Sequence, residues 1–103
     1  VLDFTGCKHL CKNSLKYLHA STILNSLQIL ILNDTNITVP YEKNMVIKQI
    51  FPELSLKKCK KVSGKDIQKY LSNILAQVPN FKERFIKKKM NIFIDKENFT
   101  ESL

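Results

Sequence analysis

The residues of this 103-residue chain that could do chemistry are few, and their spacing argues against most of it. Cys7-Lys8-His9-Leu10-Cys11 looks like half of a metal site, and His19 and Cys59 are the remaining soft ligands. A structural zinc needs four ligands, usually in two paired sets, and Cys59 stands alone. A thiol nucleophile at Cys11 with His9 or His19 as its base fails similarly, because no orienting group or oxyanion donor can be placed around the pair. No Ser lies in a nucleophile-elbow context, and two glycines are too few for a phosphate-cradling loop. The expectation is a non-enzymatic protein with no metal, no cofactor and no small-molecule site.

The three cysteines are an odd number and make no closed disulfide framework. Free thiols suit a reducing compartment, so cytoplasm or nucleus is the expected location. The glycosylation-like triplets Asn33-Asp34-Thr35, Asn36-Ile37-Thr38 and Asn98-Phe99-Thr100 are then expected to be silent. The longest apolar run, Leu27 to Leu32 interrupted by Gln28, is far too short to cross a bilayer, and no membrane association is expected.

The net charge of +8 comes mostly from Lys, in runs at Lys57, Lys58, Lys60 and Lys61 and at Lys87, Lys88 and Lys89. Arg84 is the sole arginine. Arginine is the usual reader of base edges and phosphate forks, so sequence-specific DNA recognition is disfavoured and only non-specific nucleic-acid contact stays open. A solvated Lys-rich surface is the simpler account.

One hydrophobic phrase organises the whole chain. Leu2, Phe4 and Cys7 are followed by Leu10. The phrase returns as Leu30, Leu32, Thr35 and Ile37, again as Leu54, Leu56, Cys59 and Val62, and more weakly as Ile92, Ile94, Glu97 and Phe99. The offsets of its first residue are 28, 24 and 38, the first two in or near the range of leucine-rich repeats. The expected fold is therefore α/β, a leucine-rich repeat solenoid with short parallel strands on the concave side and helices on the convex side. Residues 1–103 read as an incomplete array cut from a longer protein.

Within the units, period-2 alternation predicts strands around 1–5, 27–32, 54–57 and 91–95. A helix is expected from Asn13 to about Ser21, capped by Asn13 or Ser14. Asn33-Asp34-Thr35 is turn chemistry. Thr38 and Pro40 suit the start of a short helix continuing through Met45, Val46, Gln49 and Ile50. Ser63-Gly64-Lys65-Asp66 resembles a capping box, and Ile67, Leu71, Ile74, Leu75 and Val78 form the stripe of the clearest helix. Residues 79–89 look like an inserted helical stretch. Cys7, Thr35 and Cys59 should occupy equivalent buried sites.

The candidate binding surface is the outward phase of the strands: Asp3, Thr5, Ile31, Asn33, Ser55, Lys57, Phe93 and Asp95. Stacked strands would align these on the concave sheet, where solenoids bind partners. Ile31 and Phe93 are apolar where alternation calls for solvent, a mild sign of an interface.

Leu2-Asp3-Phe4-Thr5-Gly6-Cys7-Lys8-His9-Leu10, followed by Ser14-Leu15-Lys16-Tyr17-Leu18, resembles the cysteine-containing leucine-rich repeat of F-box/LRR proteins. Leu54 to Ser63 looks like the same repeat, and Leu30 to Thr38 is similar, with Thr35 replacing the cysteine. The likeness covers residues 1–75, and 90–103 more loosely. It implies a protein-interaction module that recognises substrates for an SCF-type ubiquitin ligase; no F-box is recognisable in these residues. The alternative is a structural scaffold in a nuclear assembly on chromatin or DNA, with lysines touching phosphates.

Overall fold

A computed structural model describes residues 1–22, 27–77 and 89–102. The expected insertion at 79–89 lies outside the described residues except for Lys89, which begins a strand rather than ending a helix. The chain is α/β. In order it forms β1 (Leu2–Asp3), α1 (Ser14–Ala20), β2 (Ile29–Ile31), β3 (Glu53–Ser55), α2 (Gly64–Gln77), β4 (Lys89–Phe93) and β5 (Asn98–Ser102). The strands make one sheet in the order β1-β2-β3-β4-β5; the first four are parallel and β5 is antiparallel.

The hydrophobic phrase aligns residue for residue with the pairing. Leu2 lies opposite Leu30, Leu30 opposite Leu54, and Leu54 opposite Ile92. A strand alternates its side chains, so this row and the row two residues on (Phe4, Leu32, Leu56, Ile94) face the same side. Leu30, Leu32, Leu54, Leu56 and Ile92 are buried there with Leu15 of α1 and Ile67, Tyr70, Leu71 and Ile74 of α2. Both helices therefore pack on one face of the sheet.

Each strand leaves the sheet through the same bend. Gly6, Asp34 and Lys58 stand four residues after Leu2, Leu30 and Leu54, and all have left-handed backbone, with φ of 74°, 53° and 60°. That conformation is free for Gly and tolerable for Asp, but costs a Lys about 1–2 kcal/mol. One residue later come Cys7, Thr35 and Cys59. Thr35 Oγ1 and Cys59 Sγ both donate to the Leu32 carbonyl, at 2.8 and 3.0 Å. The repeated Cys/Thr position thus supplies a buried donor as well as bulk. Cys7 is only half-buried, as are Leu2 and Phe4, because β1 is an edge strand with no described strand beyond it.

Three local expectations are corrected. Asn13 makes no side-chain capping bond to α1; Ser14 Oγ donates to the Cys11 carbonyl instead. No helix forms at 40–50. The Lys48 and Gln49 N–H groups go to the His19 carbonyl at 2.7 and 3.2 Å, so a tertiary partner takes donors that a helix would need. Thr38, expected as a cap, ties back to the Lys12 carbonyl. Finally, Phe99 and Thr100 do not form the plug and cap of a fourth repeat but lie in β5. The capping box of α2 does form: Asp66 Oδ2 accepts from the Ser63 N–H and hydroxyl, both at 2.9 Å.

One buried polar node joins the helical layer. His19 Nδ1 is 2.8 Å from the Gln49 carbonyl and Nε2 is 2.5 Å from the Tyr70 hydroxyl. A carbonyl can only accept, which places the proton on Nδ1 and leaves Nε2 to accept from Tyr70. Gln49 Nε2 in turn donates to the Leu18 and Ser21 carbonyls, the first of which also accepts the Ser21 N–H, so one side chain ties down the end of α1. Burial lowers the His19 pKa to about 4 and raises that of Tyr70.

Two outcomes are expected. Leu32→Asp puts an unpaired carboxylate where Leu32 is fully buried, at several kcal/mol, and should abolish the cooperative thermal transition. Unchanged melting would refute the core assignment. The unfolded chain protonates His19 near 6.5, the folded chain only near 4. Stability is therefore full above pH 6.5, declines as pH falls towards 4, and is lower by about 3 kcal/mol beneath that. Urea midpoints across this range check it; His19→Gln should remove most of the slope.

Candidate interaction surface

The helices cover one face of the sheet, and the opposite phase of each strand points away from them. Asp3, Ile31, Ser55 and Phe93 are mutual partners across the four parallel strands, and Asn98 of β5 lies opposite Phe93. A second row holds Ile29, Glu53, Asn91 and Thr100. Two residues beyond the first row stand Thr5, Asn33, Lys57 and Asp95. All eight sequence-derived candidates thus fall on one phase, and Ile29, Glu53, Asn91 and Lys89 join them. Strand alternation carried the signal for these four too; they sit on the other side of each ladder residue.

Their environments differ. Ile29, Ile31 and Phe93 are half-buried by their neighbours yet belong neither to the core nor to the residues packed against it. Ile29 and Ile31 lie on β2 and Phe93 on β4, with Ser55 of β3 between Ile31 and Phe93. Several polar candidates are already engaged. Asp3 Oδ1 accepts from the Thr5 hydroxyl at 2.6 Å and from its N–H at 2.9 Å, which holds the Asp3 carboxyl below its ordinary pKa. Asn33 Oδ1 accepts from Ser55 Oγ at 2.7 Å and from the Lys57 N–H at 2.9 Å. Asp95 Oδ1 accepts from the Lys58 N–H at 2.8 Å. Asp3 steadies its own turn, while Asn33 and Asp95 stitch one turn to the next. The groups left to meet a partner are Ile31, Phe93 and the Lys57 ammonium. Asp3, Glu53 and Asp95 against Lys57 and Lys89 leave this face close to neutral despite the basic chain.

The lysine run after β3 starts on this face with Lys57 and continues as Lys58, Lys60 and Lys61 on the turn at the C-terminal end of the strand. Lys8 reaches across to Asp34, its Nζ 2.9 Å from the carboxylate and 3.1 Å from the carbonyl. Lys8 foremost, with Lys58 and Lys60 adding to it, depresses the Asp34 pKa. Lys87 and Lys88 lie outside the described residues.

Among the described residues no three His, Cys, Asp or Glu side chains are grouped to hold a metal ion, and no helix is long and apolar enough to cross a membrane. A cleft of about 340 Å³ is lined by Lys16 of α1, Asp66 of α2 and Thr38, Tyr41, Glu42 and Lys61, among others. Its Lys16 and Glu42 pair with each other at 2.6 Å. No protein-family model matches the chain, and no curated protein and no solved structure matches it significantly.

Asn33→Ala should cost about 1 kcal/mol, seen as a lower melting temperature, with faster hydrogen exchange at the Lys57 amide. Unchanged exchange there would remove Asn33 from the stitching of the turns.

Proposed function

We propose that this chain is a protein-interaction module, a segment of leucine-rich repeat solenoid that binds a protein partner on the outer face of its sheet. The observation carrying this reading is that three half-buried apolar side chains, Ile29, Ile31 and Phe93, stand on a face that neither helix covers. Solenoids with parallel strands in register use this concave face for partners, and a half-buried apolar centre with a polar rim is the composition of a protein interface. The equal bends at Gly6, Asp34 and Lys58 support a repeating unit. The likeness of the cysteine-containing units to F-box/LRR proteins makes a degradation substrate of an SCF-type ubiquitin ligase the favoured partner, in cytoplasm or nucleus.

Ile31→Asp and Phe93→Asp should each lower partner affinity at least tenfold while leaving the melting temperature within a few degrees, since neither side chain contributes to the core. Proteins retained by the wild type are identified by affinity capture and mass spectrometry, purified, and titrated against each variant. Retained affinity in both variants counts against the site. Failure of a Skp-type adaptor to co-purify with the full-length protein counts against the ligase role alone.

A further inference from the structure

The sheet face is near neutral, so the excess positive charge must gather elsewhere, and the bends at the C-terminal ends of the strands collect much of it. Residues 5–12, 33–36, 57–61 and 95–97 carry Lys8, Lys12, Lys57, Lys58, Lys60, Lys61 and Lys96 against Asp34, Asp95 and Glu97. The turns carrying these lysines are tied to one another. The Gly6 N–H donates to the Asn33 carbonyl at 2.9 Å, and the Asp34 N–H to the Lys57 carbonyl at 2.7 Å. The Lys58 N–H donates to Asp95. The backbone here is a ledge, held by bonds that run from each unit to the next. Lys8 from the first unit reaches the Asp34 carboxylate of the second, 2.9 Å away. Lys8 alone pairs with it. Lys57, Lys58, Lys60 and Lys61 make no ion pair with any described residue.

We propose that this ledge is a second binding surface, adjoining the sheet face at Lys57 and Asp95, for the phosphate backbone of double-stranded nucleic acid. A duplex presents regularly spaced phosphates, and lysines fixed on a rigid ledge meet them as point charges. The ledge has no planar guanidinium fork, so it does not read bases. The exposed ring on the ledge is the lone imidazole of His9, and one ring gives no succession of stacking platforms for the bases of a single strand. Its apolar residues Leu10 and Val62 are turned to the core, leaving nothing to insert into a lipid surface. Asp34 opposes the ligand, as Asp95 and Glu97 also do, and it stands at a left-handed position that Asn adopts with equal ease.

The experiment is fluorescence anisotropy of a labelled DNA duplex of about 20 base pairs, arbitrary in sequence, titrated with the full chain at about 50 and 200 mM salt. An RNA duplex of the same sequence serves as a second arm, and poly-glutamate as a competitor. Wild type should bind with strong salt dependence. Lys58→Gln/Lys60→Gln should weaken binding about tenfold at low salt and flatten the log–log salt slope by about 2, at roughly 0.9 per lost phosphate contact. Asp34→Asn should tighten binding several-fold. The charge-matched Lys43→Gln/Lys69→Gln should stay within about twofold of wild type, and Ile31→Asp should not change duplex affinity at all. A DNA–RNA difference assigns the duplex form preferred.

No binding at low salt overturns the proposal. So does an equal loss in the Lys43/Lys69 control, which would reduce the effect to net charge. Displacement by poly-glutamate at matched charge concentration would make an acidic protein segment the occupant and overturn it too. Should the Lys58/Lys60 variant fail to melt cooperatively, the Asp34→Asn gain decides alone, its absence being the refuting result.

Discussion

Four parallel strands can share one ladder only if each arrives at and leaves the sheet at the same level. That constraint sets most of what is seen here. It demands a left-handed residue four places after each ladder leucine of the first three strands, and the chain meets the demand with Gly6, Asp34 and Lys58. The demand is met even where a lysine must carry the strain. It also strands a carbonyl at the end of β2, and Thr35 and Cys59 satisfy it from two successive units. Between those fixed points the chain is free to vary. One unit returns through α1, the next through an irregular segment, and the third through the 14-residue α2.

The irregular return is held by side chains instead of helical bonds. Gln49 occupies the carbonyls at the end of α1, and its own carbonyl receives the His19 proton. Tyr70 of α2 closes the node from the other side. Phe51 packs against the same imidazole, ring centroids 4.9 Å apart. Replacing a helix with a buried polar triad is stable only because every member has a partner, and no buried side-chain polar atom among the described residues is left without one.

What could be read from the sequence was whatever repeats or is local. The register of Leu2, Leu30, Leu54 and Ile92 repeats, so it was legible as a phrase. The start of α2 was legible because Ser63 and Asp66 lie within one turn of each other. Three features were hidden for one shared reason. His19, Gln49 and Tyr70 are separated by 30 and 51 residues from His19 onwards, and no local pattern reports a bond of that span. The apolar face of Met45 to Ile50 fits a helix, but its donors are claimed by His19. Phe99 and Thr100 suit a strand as readily as a plug and cap, and pairing with β4 decided between them. The candidate surface splits the same way. Alternation placed its eight residues on one phase, yet only geometry shows that Asn33 and Asp95 are spent on binding neighbouring turns. The pairing of Lys8 with Asp34 is likewise invisible as a run.

The antiparallel closure by β5 bears on the order in which the sheet assembles. Its pairing with β4 closes across a bend of four residues, Ile94 to Glu97, whereas joining β1 to β2 or β2 to β3 must bring together segments more than twenty residues apart. Closing a short loop sacrifices less chain entropy and is faster, with hairpins forming in microseconds. The β4–β5 hairpin is thus the natural nucleus, and it offers β3 a ready-made edge. By the same measure β3 and β4 span the widest separation in the sheet, Ser55 to Lys89, so the hairpin and the β1–β2–β3 half join late and the seam between them is the first to open.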